Sequence, residues 1–270
     1  MRMTVTENPI TAPASNGGAR KLTRKALRVA RASFAFLFAL PILVSSAIYA
    51  ASPDFDWWSA DRSSVGLLPA ATPDAPALVR IFAARTVRWR GIFAVHSWIV
   101  LKEAGGEYQR YDLTAWGDPL RRNGFAADGR WFGKSPEVVF AADAERAQRL
   151  IAPMKQAIAA YPYQKTGDYV AWPGPNSNTF VASVMAAVPE INAALPALAI
   201  GKDYPVDRRW LGLTASRTGI RVSLDGYAGV TIGWIEGFEL NLFGAVVGFD
   251  VRRPAIKLPA LGRFGMAAFP

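Results

Sequence analysis

The chain contains no cysteine and a single histidine, His96. Without cysteine there are no disulfides, no thiolate metal sites and no cysteine nucleophile. One histidine excludes a multi-His metal centre, and neither a metal nor another cofactor is expected. Acidic residues are scarce at the N-terminus, where residues 1–31 carry seven Lys/Arg against one acid, Glu7, so this tail holds +6 of the overall +10. The rest is close to neutral, which disfavours a nucleic-acid partner. A basic tail beside a bilayer is better explained by topology and anionic headgroups.

Charge is also missing between Arg31 and Asp54. About 20 apolar residues suffice to cross a bilayer core as a helix, so residues 32–53 are expected to be a transmembrane anchor. Pro41 falls mid-span, where local backbone adjustment tolerates it. Lys and Arg precede the span and none follows closely, which places the N-terminus in the cytoplasm and the body outside the inner (cytoplasmic) membrane, in the periplasm or its equivalent. The rival reading is a cleaved signal peptide, with Ser45-Ser46-Ala47 as the small-residue site.

Five segments follow from these patterns: a basic cytoplasmic tail (1–31), the anchor (32–53), a membrane-proximal linker (54–76), a core (77–200) and a β-rich extension (201–270). In the linker, Trp57 and Trp58 either sit at the membrane interface or pack on the domain. The core opens with strand-like runs at 78–89 and 92–103, a turn at Gly105-Gly106, and a further strand near Val138–Ala141. Leu150, Ile151, Met154 and Ile158 fit one face of a helix, interrupted by Pro153, and a second helix is expected from Ser177 to about Ala187, ended by Pro189. Closely spaced glycines after residue 219 suggest short strands with tight turns. Residues 252–270 look like a Pro-rich tail.

Two residues could carry chemistry. His96 lies on a strand whose two faces are both apolar, so it is either a core histidine bonded to its surroundings or a general base. Ser177 follows Asn176 at a helix start, so it is either part of a cap or a nucleophile helped by the free N–H groups and dipole of a helix N-terminus. A two-residue turn at Gly105-Gly106 would pair Ile99 with Asp112 and point Asp112 away from His96, although a bulge would reverse this. Asp118, beyond the strand end, is then the expected third group of a triad, with Asp168 a further option.

A strand-borne histidine upstream of Asn176-Ser177-Asn178-Thr179-Phe180 resembles the circularly permuted papain-like folds: the Asn-Cys-Asn-x-Phe box of PPPDE-type isopeptidases and, more loosely, the lecithin:retinol acyltransferase and NlpC/P60 group. The whole chain also resembles a bacterial membrane-anchored family known as domain of unknown function 3750. The resemblance implies an α+β fold with a permuted papain-like core, an antiparallel sheet with packed helices. It further implies a cleft holding Ser177 and His96, with Asn176, Asn178, Thr179 and Trp172 as binding residues. The related enzymes carry cysteine where this chain has Ser177, and a hydroxyl lacks the thiolate reserve of a thiol. The expected function is therefore a non-catalytic binding or scaffold module of the cell envelope. The alternative is a serine-dependent amide or ester hydrolase, or an acyltransferase, acting on envelope substrates. Expected partners are membrane lipid, with peptidoglycan peptide, lipid or another envelope component as ligand.

Overall fold

The computed structural model describes residues 17–51 and 57–268. The first half of the basic tail and residues 52–56 of the linker lie outside the described residues. Helix α1 (Gly17–Phe34) continues through a π-helical turn (Ala35–Ala39) into α2 (Leu40–Ala50). Pro41 has no N–H to offer the preceding turn, and the widened turn just upstream is the backbone's adjustment to it. Within this helix Thr23–Ala50 is long and apolar enough to cross a membrane. Phe38, Pro41 and Ser45, three to four residues apart, form one buried stripe, while Phe36, Leu40, Leu43 and Ile48 stay exposed. Along the stripe Ser45 Oγ donates to the carbonyls of Ala260 and Ile92, and the Tyr49 hydroxyl donates to that of Thr86.

Strands β1 (Leu78–Arg85), β2 (Val95–Lys102), β3 (Gln109–Leu113), β4 (Leu120–Arg122) and β5 (Glu137–Asp143) form an antiparallel sheet in the order β4-β3-β2-β1-β5. Alternate residues of a strand point to opposite faces, and here both faces are covered. Val79, Ile81, Ile99 and Leu101 pack with residues of α3 (Ala144–Ala159) and α4 (Ser177–Ala187). Phe82, Trp98 and Val100 pack on the other side with Trp131 and Phe132. Helix α3 keeps its apolar stripe of Leu150, Ile151, Met154 and Ile158 despite Pro153. Trp57 stacks on Phe132 at 4.0 Å, so it packs on the domain, whereas Trp58 is 82% exposed.

The β2–β3 register departs from expectation by one residue. Leu101 pairs with Gln109 and Ile99 with Tyr111, which makes the turn one residue longer than a two-residue loop. Gly105 sits there at φ +67° and its N–H goes to the Ala75 carbonyl of the incoming linker. A Cβ on Gly105 would lie 2.6 Å from the Pro73 carbonyl, so the linker's approach needs glycine. Because the side-chain period is two, this single residue exchanges the faces of everything on β3.

A second sheet of seven strands is an antiparallel meander: β6 (Leu211–Leu213), β7 (Gly219–Leu224), β8 (Ala228–Gly233), β9 (Gly237–Leu242), β10 (Ala245–Asp250), β11 (Ala255–Leu258) and β12 (Gly262–Gly265). The expected Pro-rich tail is thus corrected to a hairpin, β11–β12, with Pro254 and Pro259 flanking its first strand instead of interrupting it. The inward face of this sheet is polar. Glu239 is buried and receives both Lys202 and Lys257, and the Asn241 amide donates to Asp203. Burial pushes the Glu239 carboxyl up, but the two ammonium groups outweigh it and hold it below the usual range.

Candidate functional site

The start of α4 is a closed hydrogen-bond network. Asn176 is its N-cap: Oδ1 accepts the backbone N–H groups of Asn178 and Thr179, and the Thr179 hydroxyl accepts the N–H of Asn176, completing a capping box. The Asn176 amide N–H groups go to the carbonyls of Ala171 and Ile200, each at 3.0 Å. The Thr179 hydroxyl donates to the Gly201 carbonyl at 2.7 Å. Gly201 lies so close that a Cβ would meet the Asn176 amide nitrogen at 2.3 Å. Asn178 reaches the sheet: its Oδ1 accepts the Ser97 hydroxyl at 2.8 Å, and its NH₂ donates to the carbonyls of Val95 and Ile200 at 3.0 and 2.8 Å. A side-chain amide has two N–H donors, and in Asn176 and Asn178 all four are engaged. Neither has a donor left for an oxyanion.

Ser177 itself is buried, close to the Tyr169 phenol. Burial pushes that phenol up against the opposing pull of Ser177, so Tyr169 is neutral and offers Ser177 no base. Trp172 is 44% exposed and packs edge-on against Tyr227 at 4.9 Å, next to the second sheet.

His96 is held elsewhere. It lies on the same face of β2 as Trp98, stacked flat on Trp131 at 3.6 Å with 9° between the rings. Its Nε2 is 2.9 Å from Asp112 Oδ1. Arg110, two residues before Asp112 on the same strand face, grips that carboxylate through Nε at 2.7 Å and Nη2 at 2.9 Å, and donates Nη1 to the Ala126 carbonyl. Its guanidinium also lies 4.0 Å from the Trp98 ring centroid. The partner of His96 is therefore Asp112. The expectation that Asp112 faces away is corrected by the longer turn, and Asp118 is exposed in the β3–β4 connection. Asp168 accepts the Lys165 N–H in a loop.

Desolvation holds the His96 imidazole below its ordinary value, against the opposing pull of Asp112. Burial pushes the Asp112 carboxyl up, but Arg110 and the hydrogen bonds from His96 and Arg110 outweigh it and keep it below the carboxylate range. At neutral pH the arrangement is a neutral ring donating Nε2–H to an ionised Asp112 that is neutralised by Arg110.

The structure thus assembles two groups, not one. Ser97 faces Asn178 and α4, so His96, its neighbour on the strand, faces the opposite side. No hydrogen bond joins His96 to Ser177, and the sheet stands between their side chains. A serine nucleophile needs a base within hydrogen-bond reach. The Arg110-x-Asp112 pair, opposite charges two apart and therefore on one face of β3, was the sequence signal for the buried ion pair. Trp131, Tyr169 and Gly201 carried no comparable signal.

Residues 76–204 match the sequence model of a family described as "Protein of unknown function (DUF3750)". This segment is a DUF3750 domain. The match takes in the first sheet, α3, α4 and both polar groups, and stops before the second sheet. No curated protein and no solved structure matches the chain in the corresponding comparisons.

The DUF3750 site has a defined pH signature. His96 has a folded pKa below its unfolded value, so its contribution to stability is present above about pH 6.5 and is lost as pH falls through the folded value. Asp112 adds a second loss at pH below about 4, by the same sign. The melting temperature of the full chain in detergent is expected to drop between neutral pH and pH 5. In His96→Gln that first drop should flatten while the second remains. An equal drop in both proteins would contradict the assignment.

Proposed function

We propose that this DUF3750 protein is a single-pass membrane-anchored module, exposed on the extracytoplasmic side, that binds or scaffolds a component of the cell envelope without performing hydrolysis at Ser177. The observation that carries this reading is the separation of His96 and Ser177 by the sheet, together with the saturation of Asn176 and Asn178. Orientation rests on the basic residues before the span and their scarcity behind it. A place for a ligand exists: a cleft of about 630 Å³ between the two sheets, in the size range of small-molecule sites. Its walls include Arg85, Arg146, Arg252 and Arg253 against Glu137 and Asp250, and this cationic excess favours an anionic group on the ligand.

The test is covalent. Full-length protein in detergent is treated with a fluorophosphonate serine probe, alongside Ser177→Ala. The proposal predicts no labelling that depends on Ser177. Labelling of the wild type that disappears in Ser177→Ala would overturn it in favour of a serine hydrolase or acyltransferase.

A further inference from the structure

The second sheet is inside out. A soluble antiparallel sheet turns its apolar residues to the core and its polar residues to water. Here the paired, charged residues face inward, and the outward face carries one unbroken apolar row across all seven strands. Leu213 pairs with Ile220, Ile220 with Ile232, Ile232 with Phe238, Phe238 with Phe249, Phe249 with Ile256, and Ile256 with Phe264. Beside it runs a second row, Leu211, Val222, Val230, Leu240 and Val247. In the first row Leu213 is 61% exposed, Ile232 54%, Ile256 53% and Phe249 49%, so most of that row is left open among the described residues. At about 4.8 Å per strand it is roughly 30 Å wide, far beyond the scattered apolar side chains of an ordinary surface.

We infer that this face lies on the acyl chains of the bilayer that the N-terminal helix occupies. The anchor argues for that occupant. Its π-helical turn packs against β10, and Ser45 and Tyr49 fix α2 to the carbonyls of Ala260 and Thr86. From Phe38 to Tyr49 the helix runs along the domain for about 17 Å, more than half of a hydrocarbon core about 30 Å thick. A domain clasped to the helix over that length is drawn down to the lipid, and the apolar face is the surface composed for it. The exposed side of the helix, Leu40, Leu43 and Ile48, extends the same apolar character. Trp210 before β6 and Trp234 in the β8–β9 turn are 62% and 60% exposed, and tryptophan is the residue of the membrane interface. Arg217, exposed in the β6–β7 turn, suits an anionic headgroup.

The inference rests on the anchor reading, and one experiment separates the two. The chain has no cysteine, so single thiols can be introduced by Leu213→Cys, Ile232→Cys or Phe249→Cys on the face, Leu43→Cys on the helix, and Lys165→Cys in the loop after α3. Each full-length protein is labelled with an environment-sensitive fluorophore and reconstituted into phosphatidylcholine–phosphatidylglycerol vesicles. The face and helix positions should shift to the blue and be quenched by nitroxides on the acyl chains, while the Lys165 position is quenched by aqueous iodide. A lipid signal at Leu43 with iodide quenching on the face would overturn the inference and leave the anchor standing. A face shielded from both quenchers would also overturn it, in favour of a second copy of the chain as the cover. Loss of the lipid signal at Leu43 would remove the anchor and the inference together.

Discussion

Arg110→Ala is expected to destabilise the chain by about 3–5 kcal/mol, the scale for leaving one member of a buried ion pair without its partner. Arg110 is fully buried and supplies two of the hydrogen bonds that keep Asp112 ionised. Without it the carboxylate retains only His96 and must take up a proton or draw water into an aromatic pocket bounded by Trp98 and Trp131. Truncation also empties the volume of a long side chain packed on Trp98. The denaturation midpoint of the full chain in detergent measures the loss. The double variant Arg110→Met with Asp112→Leu should recover much of it, since a well-packed apolar pair removes both desolvated charges at once. Equal losses in the single and double variants would show that packing, and not the ion pair, dominates the site.

Asn178→Ala is expected to be the second large loss, about 3 kcal/mol or more, because it strips hydrogen bonds from several buried groups and each one left unsatisfied costs roughly 1–3 kcal/mol. The Ser97 hydroxyl loses its acceptor and the Val95 carbonyl a donor, while Ile200 keeps only the Asn176 amide. These bonds join α4 to β2 and to the chain near residue 200, so the damage is to the docking of the helix on the sheet. Asn178→Asp keeps the acceptor for Ser97 but aims a carboxylate at two carbonyl oxygens, and should be worse than alanine. Thermal melts of the three proteins decide it. A stable Asn178→Ala protein would contradict the structural role assigned here.

Much of this fold is legible in the sequence. Helix α4 starts at Ser177 because Asn176 can cap and Thr179 can return the bond, and it is over before Pro189. The placement of His96 on a central strand follows from the apolar run on both sides of it. What could not be read was the hairpin register, because the turn at Gly105 is shaped by the linker carbonyls of Pro73 and Ala75, which are distant in sequence. That one-residue difference moved Asp112 to the His96 face and made Asp118 irrelevant to it. The second sheet was obscured differently. Alternation identifies strands but not which face is inward, and the habit of turning apolar residues to the core fails for a sheet whose inner face is built from Glu239, Lys257 and Asn241. Two prolines flanking a four-residue strand then disguised β11 as tail.

The central claim is that His96 answers to Asp112 and not to Ser177. Since the chain has one histidine, ¹⁵N spectra of His-labelled full-length protein report that ring alone. The structure predicts a proton on Nε2, a titration shifted below the ordinary histidine value, and the same curve after Ser177→Cys. A thiol within reach of the ring would form a thiolate–imidazolium pair and move the titration upward, and that result would contradict the account.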